Sequence, residues 1–344
     1  MVIGRVVGVD VARGLAVLGM AVAHVGADDA ARLPGGSSWL EVFDGRSAAC
    51  FALLAGVSAA LLSADPGRLR YARVRILARA ALLLPLGLAL AALGTPVVII
   101  LPAYAVMFAM LTAALTWRPR TLLVTAGVVA VVGPQVTLLL REAGVGAGPF
   151  DVLWQEYYPP LVWIAYLLVG LAVGRVLRDP TTPSRLVTWG TVCAVLGLTT
   201  GAVAVRAIDP SHASWRALLT SAPHSSATVE LVANTGVALA VLGTCLVAGD
   251  RWPRAMSPLA ATGALALTAY CGQVVAIAVA GSAVVFDPDI SVTVAFVLVT
   301  VGVCTAWRST LGRGPLERLL HAGSSAAGDL VDAAPRPDEV TRAR

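Results

Sequence analysis

Lysine is absent from this chain of 344 residues, and arginine alone supplies its 25 basic side chains against 20 Asp and Glu. Charge of either sign is scarce at 13%, against roughly 25% in soluble domains. Aromatic residues are few, at 6%. The five cysteines (Cys50, Cys193, Cys245, Cys271 and Cys304) all fall inside apolar runs and form no CxxC pair. Lone thiols in such places behave as small hydrophobes, so neither a disulfide framework nor a zinc site is indicated. Walker loops, GxSxG elbows and HExxH motifs are missing, as is the internal repeat that points to secondary transporters. The isoelectric point is about 9.2. The arginines are nevertheless scattered between apolar blocks, with no basic helix, which speaks against a nucleic-acid partner.

What the chain has in quantity is hydrophobic residues, 58% of the total, with a mean hydropathy of +0.81. Apolar runs of about 20 residues are long enough to cross about 30 Å of hydrocarbon. Ten are read, near 8–27, 44–63, 75–93, 96–116, 121–140, 158–177, 186–206, 228–248, 257–281 and 290–307. The expected fold is an all-α, polytopic membrane bundle. Asp10 and Arg13 interrupt the first run, so it reads as a span and not a cleaved signal. From Ala322 the sequence turns polar and poor in aromatics, which predicts a disordered cytoplasmic tail over 322–344 behind a transmembrane domain at 1–321.

Arginine placement sets the expected orientation. With the N-terminus inside, cytoplasmic segments hold Arg68, Arg70, Arg73, Arg75 and Arg79 and most of the others. The opposite loops keep only Arg32, Arg141, Arg206 and Arg216, beside acidic residues from Asp28 to Asp289. Both termini are therefore expected in the cytoplasm, and the membrane is expected to be the cytoplasmic one.

Depth then sorts the polar residues. Asp10 and Arg13 share one face at the cytoplasmic end of the first span and can pair there. A structural ion pair that locks this helix is the expected role. His24 lies about 21 Å further along, at 1.5 Å per residue, near the external surface. Other segments bring unusual residues to the same level: Asp44 and Arg46 in "FDGRSAACFALLAGVSAAL"; Glu156, Tyr157, Tyr158 and Trp163 in "EYYPPLVWIAYLLVGLAVGR". "SAPHSSATVELVANTG" adds His224, Glu230 and Asn234, and "GALALTAYCGQVVAI" adds Tyr270 and Gln273. Such convergence marks a site. Trp39, Trp154 and Trp215 read instead as an interfacial aromatic belt.

These residues carry a resemblance. "RVVGVDVARGLAVLGM" resembles the opening R-x-x-x-x-D-x-x-R-G-x-A of the heparan-α-glucosaminide N-acetyltransferase-like family of bacterial transmembrane acyltransferases. "FDGRSAACFALLAGVSAAL", "YYPPLVWIAYLLVGLAVGR", "APHSSATVEL" and "LTAYCGQVV" resemble later blocks of its actinobacterial branch. "WRSTLGRGPLERLL" (residues 307–320) resembles the W-x-x-x-x-x-x-G-P-L-E ending of related bacterial proteins. The resemblance implies transfer of an acetyl or other short acyl group from cytoplasmic acyl-CoA, with acetyl-CoA as co-substrate and no metal. The acceptor it implies is an extracytoplasmic glycan, a lipid-linked sugar or a small molecule. The chain departs from the family twice. Gly36 of "GGSSWLEVFD" stands where the animal enzyme has a catalytic histidine, and Gln273 replaces the histidine that ends "LTxYxxH" in many bacterial relatives.

Attack of a hydroxyl or amine on a thioester needs a base with pKa near working pH, and histidine suits it best. His24 is the first candidate and His224 the second, since His212 reads as a loop residue and His321 as cytoplasmic. Asp44 and Glu230 are the carboxylates available to orient the imidazole. Arg46, Tyr157, Tyr158 and Asn234 are available oxyanion donors, and Trp163, Tyr270 and Gln273 complete the expected acceptor-binding wall. The Arg68–Arg79 cluster is the densest place for CoA phosphates, though it reads first as a topology signal that also contacts anionic lipid. Membrane lipid is a partner in either case, and a homodimer is one assembly such a bundle allows. The rival reading is a non-enzymatic transporter or scaffold built on the same bundle.

Overall fold

The computed structural model describes residues 6–26, 42–144, 157–209, 212, 217–286 and 290–332, and the regular elements among them are helical. The order begins α1 (Val7–Val25), α2 (Arg46–Leu62), α3 (Leu69–Ala91), α4 (Leu101–Ala114), α5 (Pro119–Glu142), α6 (Pro160–Val176) and α7 (Thr182–Ala207). It continues with α8 (Thr228–Arg251), α9 (Ser257–Ala264), α10 (Ala266–Ala280), α11 (Ala283–Phe286), α12 (Ile290–Thr310) and α13 (Pro315–Asp332). Residues 27–41, 145–156, 213–216 and 287–289, which include Gly36, Trp39, Trp154, Glu156 and Trp215, lie outside the described residues.

Six of these helices (α1, α3, α5, α7, α8 and α12) are long and apolar enough to cross a membrane. The segments read near 44–63, 96–116 and 158–177 fold as shorter apolar helices of 17, 14 and 17 residues. Turn and proline chemistry trims them. Gly45 is left-handed before α2, residues 95–100 run without helix before α4, and Pro160 fixes the first turn of α6. The segment near 257–281 is not one straight span. It is the pair α9 and α10, bent by 78° at Leu265.

Helices α1, α2, α6 and α8 form the inner layer. α6 lies along α2, α9 along α1, and α7 along α8, while α5 covers α6 and α3 pairs with α4 and α13. Outer faces stay apolar and uncovered: Val124, Val128 and Leu139 on α5, Val195 and Val203 on α7, Leu298 on α12. Patches of that kind are unstable in water but suit hydrocarbon. The chain is a multi-pass membrane protein.

In lipid, helices gain nothing from apolar contact as such, so close backbone approach holds them together. The α2–α6 seam shows this. A Cβ on Gly56 would fall on the Leu167 carbonyl, and one on Gly170 would fall on that of Leu53. Gly170→Val is expected to prise this seam apart at a cost above the usual 1–3 kcal/mol of overpacking. The check is a lower yield of monodisperse protein from detergent, and unchanged yield would contradict the packing.

Helix α13 corrects the expected tail. Residues 322–332 are helical, because an amphipathic stripe packs α13 along α3. Arg68 bonds Asp332 (2.8 Å), and Arg75 meets His321 Nδ1 (3.3 Å). Burial, with the positive charge of Arg313, Arg75 and Arg79, holds the His321 imidazole below its ordinary pKa. The "GPLE" block works as a clasp. Glu317 accepts from Thr268 N (3.0 Å) and Thr268 Oγ1 (2.5 Å), which satisfies donors left open in the first turn of α10 by the break at Leu265.

Candidate active site

The site is built on two short turns that face each other. The first is "FDGR", where Gly45 takes φ +65°, a conformation that costs glycine little. A Cβ there would stand 3.2 Å from Glu230 Oε1 and 3.4 Å from His224 N. The turn therefore lets Asp44 pass close beneath the second turn, "PHSS". There His224 Nε2 and Asp44 Oδ1 are 3.0 Å apart. With the Nε2–H donating to that carboxylate, the lone pair sits on Nδ1. His224 Nδ1 is buried and has no hydrogen-bond partner among the described residues.

His224 and Ser226 both have positive φ, 58° and 54°, which costs non-glycine residues of order 1–3 kcal/mol each. Glu230 holds the turn in place. Its carboxylate accepts from His224 N (2.8 Å), Ser225 Oγ (3.0 Å), Ser226 N (2.6 Å) and Asn234 Nδ2 (3.2 Å), and the residue is 1% exposed. Trp163 Nε1 adds a bond to Ser226 Oγ (3.2 Å). Rings complete the setting. The His224 imidazole lies 5.3 Å from Tyr158 and 5.7 Å from Tyr157, and stacks at 9° on Trp163.

His24 reaches the same cavity from the end of α1. The cavity has a volume of about 200 Å³, and its walls include His24, Asp44, Tyr157, Tyr158 and His224. His24 Nδ1 is buried without a hydrogen-bond partner among the described residues. Five of the expected residues are thus brought together. Glu230, Trp163 and Asn234 stand one layer behind, where Asn234 Nδ2 donates to Glu230 (3.2 Å). Arg46 opens α2 and bonds Val42 O (3.4 Å) without lining the cavity. Tyr270 meets His24 ring to ring at 6.4 Å. Gln273 lies on a separate groove.

Ser47 and the Pro96–Val98 stretch line the cavity too, and sequence reading missed both. Ser47 follows directly on "FDGR", so its place one turn inside α2 was the available signal. Pro96–Val98 carries no polar side chain and gave none.

Asp10 and Arg13 stand apart from this cavity. Arg13 Nη1 bonds Asp10 (2.8 Å) and Nη2 bonds Ser58 Oγ (2.7 Å), which ties α1 to α2. Asp10 is 5% exposed, and removing one partner of a buried pair costs about 3–5 kcal/mol. Asp10→Ala is expected to lower the yield of folded protein. If it folds normally and loses only activity, this pair belongs to the acyl-donor site instead. Arg13 also lines a second cavity, of about 150 Å³, with Arg79, Ser58 and Tyr104.

Fold and cavity together define a multi-pass membrane protein with an imidazole–carboxylate site at one end of its bundle. Residues 5–201 match the family described as heparan-alpha-glucosaminide N-acetyltransferase, catalytic. Residues 172–327 match a protein family of unknown function (DUF418). The first match spans more than half of the chain, which belongs to that acetyltransferase family. Neither a curated protein nor a solved structure matches it. Membership implies a membrane acetyltransferase. Among the described residues no group of three or more His, Cys, Asp or Glu is placed to hold a metal.

Proposed function

We propose that the chain moves an acetyl or short acyl group from acyl-CoA to a hydroxyl or amine at the His24–Asp44–His224 cavity. The observation that carries this is the 3.0 Å contact between His224 Nε2 and Asp44, with Nδ1 left unpartnered beside the cavity. In this reading His224 Nδ1 takes the proton of the acceptor O–H or N–H. The acceptor attacks the thioester carbonyl, the C–S bond breaks, and the CoA thiolate recovers the proton from His224. Asp44 keeps the imidazole in the productive tautomer and stabilises its protonated form. His24 on the facing wall, with Tyr157 and Tyr158, supplies donors to the developing oxyanion.

The bundle has ten spans in this reading, with both termini in the cytoplasm of a cell whose inner membrane holds it. The arginine distribution supports that orientation. Acyl-CoA then arrives on the side that carries the Arg68–Arg79 cluster, whose charges suit its phosphates, and the acceptor arrives on the side of His24. Purified protein in lipid nanodiscs is expected to transfer or hydrolyse the labelled acetyl group of acetyl-CoA. A transporter or scaffold would leave the thioester intact.

A further inference from the structure

Between α10 and α12 lies an apolar groove of about 490 Å³. Ala269, Gly272 and Ala276 form one wall, and Phe296, Val299 and Val303 form the other. Val299 and Val303 are 62% and 58% exposed on a helix long enough to span the membrane, so the groove opens to hydrocarbon. Apolarity alone selects nothing there, because bilayer chains are as apolar as the walls. Selectivity needs a polar point.

The groove has one in Gln273, which is 3% exposed. Its Nε2 donates to Val17 O (3.4 Å), while its Oε1 is buried with no donor among the described residues. A buried carbonyl oxygen without a donor is costly unless something completes it. Tyr270, one turn earlier on α10, faces His24. Gln273 and the tyrosine that meets the His24 ring thus lie three positions apart on one helix.

We propose that this groove holds the hydrocarbon chain of a lipid-linked acceptor that enters sideways from the bilayer. A hydroxyl or N–H of the lipid donates to Gln273 Oε1, and its head passes Tyr270 toward the cavity. The acceptor role rests on the transfer reading above; the binding site does not.

The test uses the full chain in phosphatidylcholine nanodiscs without acyl-CoA. Two C16 probes carry a diazirine in the chain: an alkyl glucosaminide, rich in donors, and a methyl ether with none. After irradiation, labelled peptides are mapped by mass spectrometry. The reference is the comparably exposed α5 face around Val124 and Val128. The glucosaminide is expected to favour residues 265–276 and 295–307 over that face about fivefold more than the ether does, roughly the worth of one hydrogen bond. Gln273→Leu should bring the two probes level. Val303→Trp adds bulk on the lipid-facing surface, where the bundle still packs, and should lower groove labelling by both. Equal labelling by the two probes in the parent protein overturns the proposal. So do chain-to-chain cross-links through 295–307, which would make the groove a face between two copies. Labelling as expected in a protein that transfers no acetyl group supports the groove and counts against the transfer reading alone.

Discussion

His224→Ala is expected to lower acetyl transfer by about 10²–10⁴-fold, the usual worth of a general base, with insertion and folding intact. The imidazole projects from a loop into a cavity and stacks on Trp163 of α6, whose indole N–H is held separately by Ser226. Its Nε2 is engaged by Asp44, and its Nδ1 is the nitrogen left to take a proton. His24→Ala separates the two imidazoles. His24 shares the cavity, but the ring contact that places it is with Tyr270, and no described carboxylate bonds it. Its loss should cost less than that of His224, in proportion to a donor and not a base. Turnover of labelled acetyl-CoA by the two variants decides the assignment, and a larger loss at His24 would reverse it.

Glu230→Ala should be as damaging by another route. One buried carboxylate receives two backbone N–H groups, a serine hydroxyl and an amide. Hydrogen bonds to charged groups are worth about 1.5–3 kcal/mol each, so removing their acceptor should cost at least about 3 kcal/mol. The turn that keeps His224 and Ser226 in left-handed backbone would relax, and His224 would leave Asp44. Transfer should fall to the level of His224→Ala, together with a lower melting temperature. Glu230→Gln keeps an acceptor oxygen but turns an NH₂ toward other donors, so it should fall between. Parent activity in Glu230→Ala would remove the positioning role.

Much of the fold was legible because apolar runs at membrane length leave a chain few choices. The convergence of polar residues at one level was legible for the same reason, since depth along a span follows from residue count. Partnerships across the bundle were not. Asp44 and His224 are 180 positions apart, and nothing local in either segment names the other. Sequence reading therefore put His24, with its clear position on α1, ahead of His224 in a loop. Glu230 read as a carboxylate available to orient an imidazole, and nothing local showed that it holds the backbone turn of His224 and Ser226. The bend at Leu265 hid inside an apolar run whose composition suits one straight helix equally well. The helical residues at 322–332 hid because their apolar stripe is worth little until α3 is there to receive it.

The central claim is that Asp44 and His224 act as one unit. Reconstituted parent protein, Asp44→Ala, His224→Ala and the double variant can be compared for turnover of labelled acetyl-CoA under one set of conditions. Residues that act as a unit are strongly non-additive. The double variant should be no slower than His224→Ala alone, with both well below the parent. Losses that multiply in the double variant, or a parent rate in His224→Ala, would contradict the account.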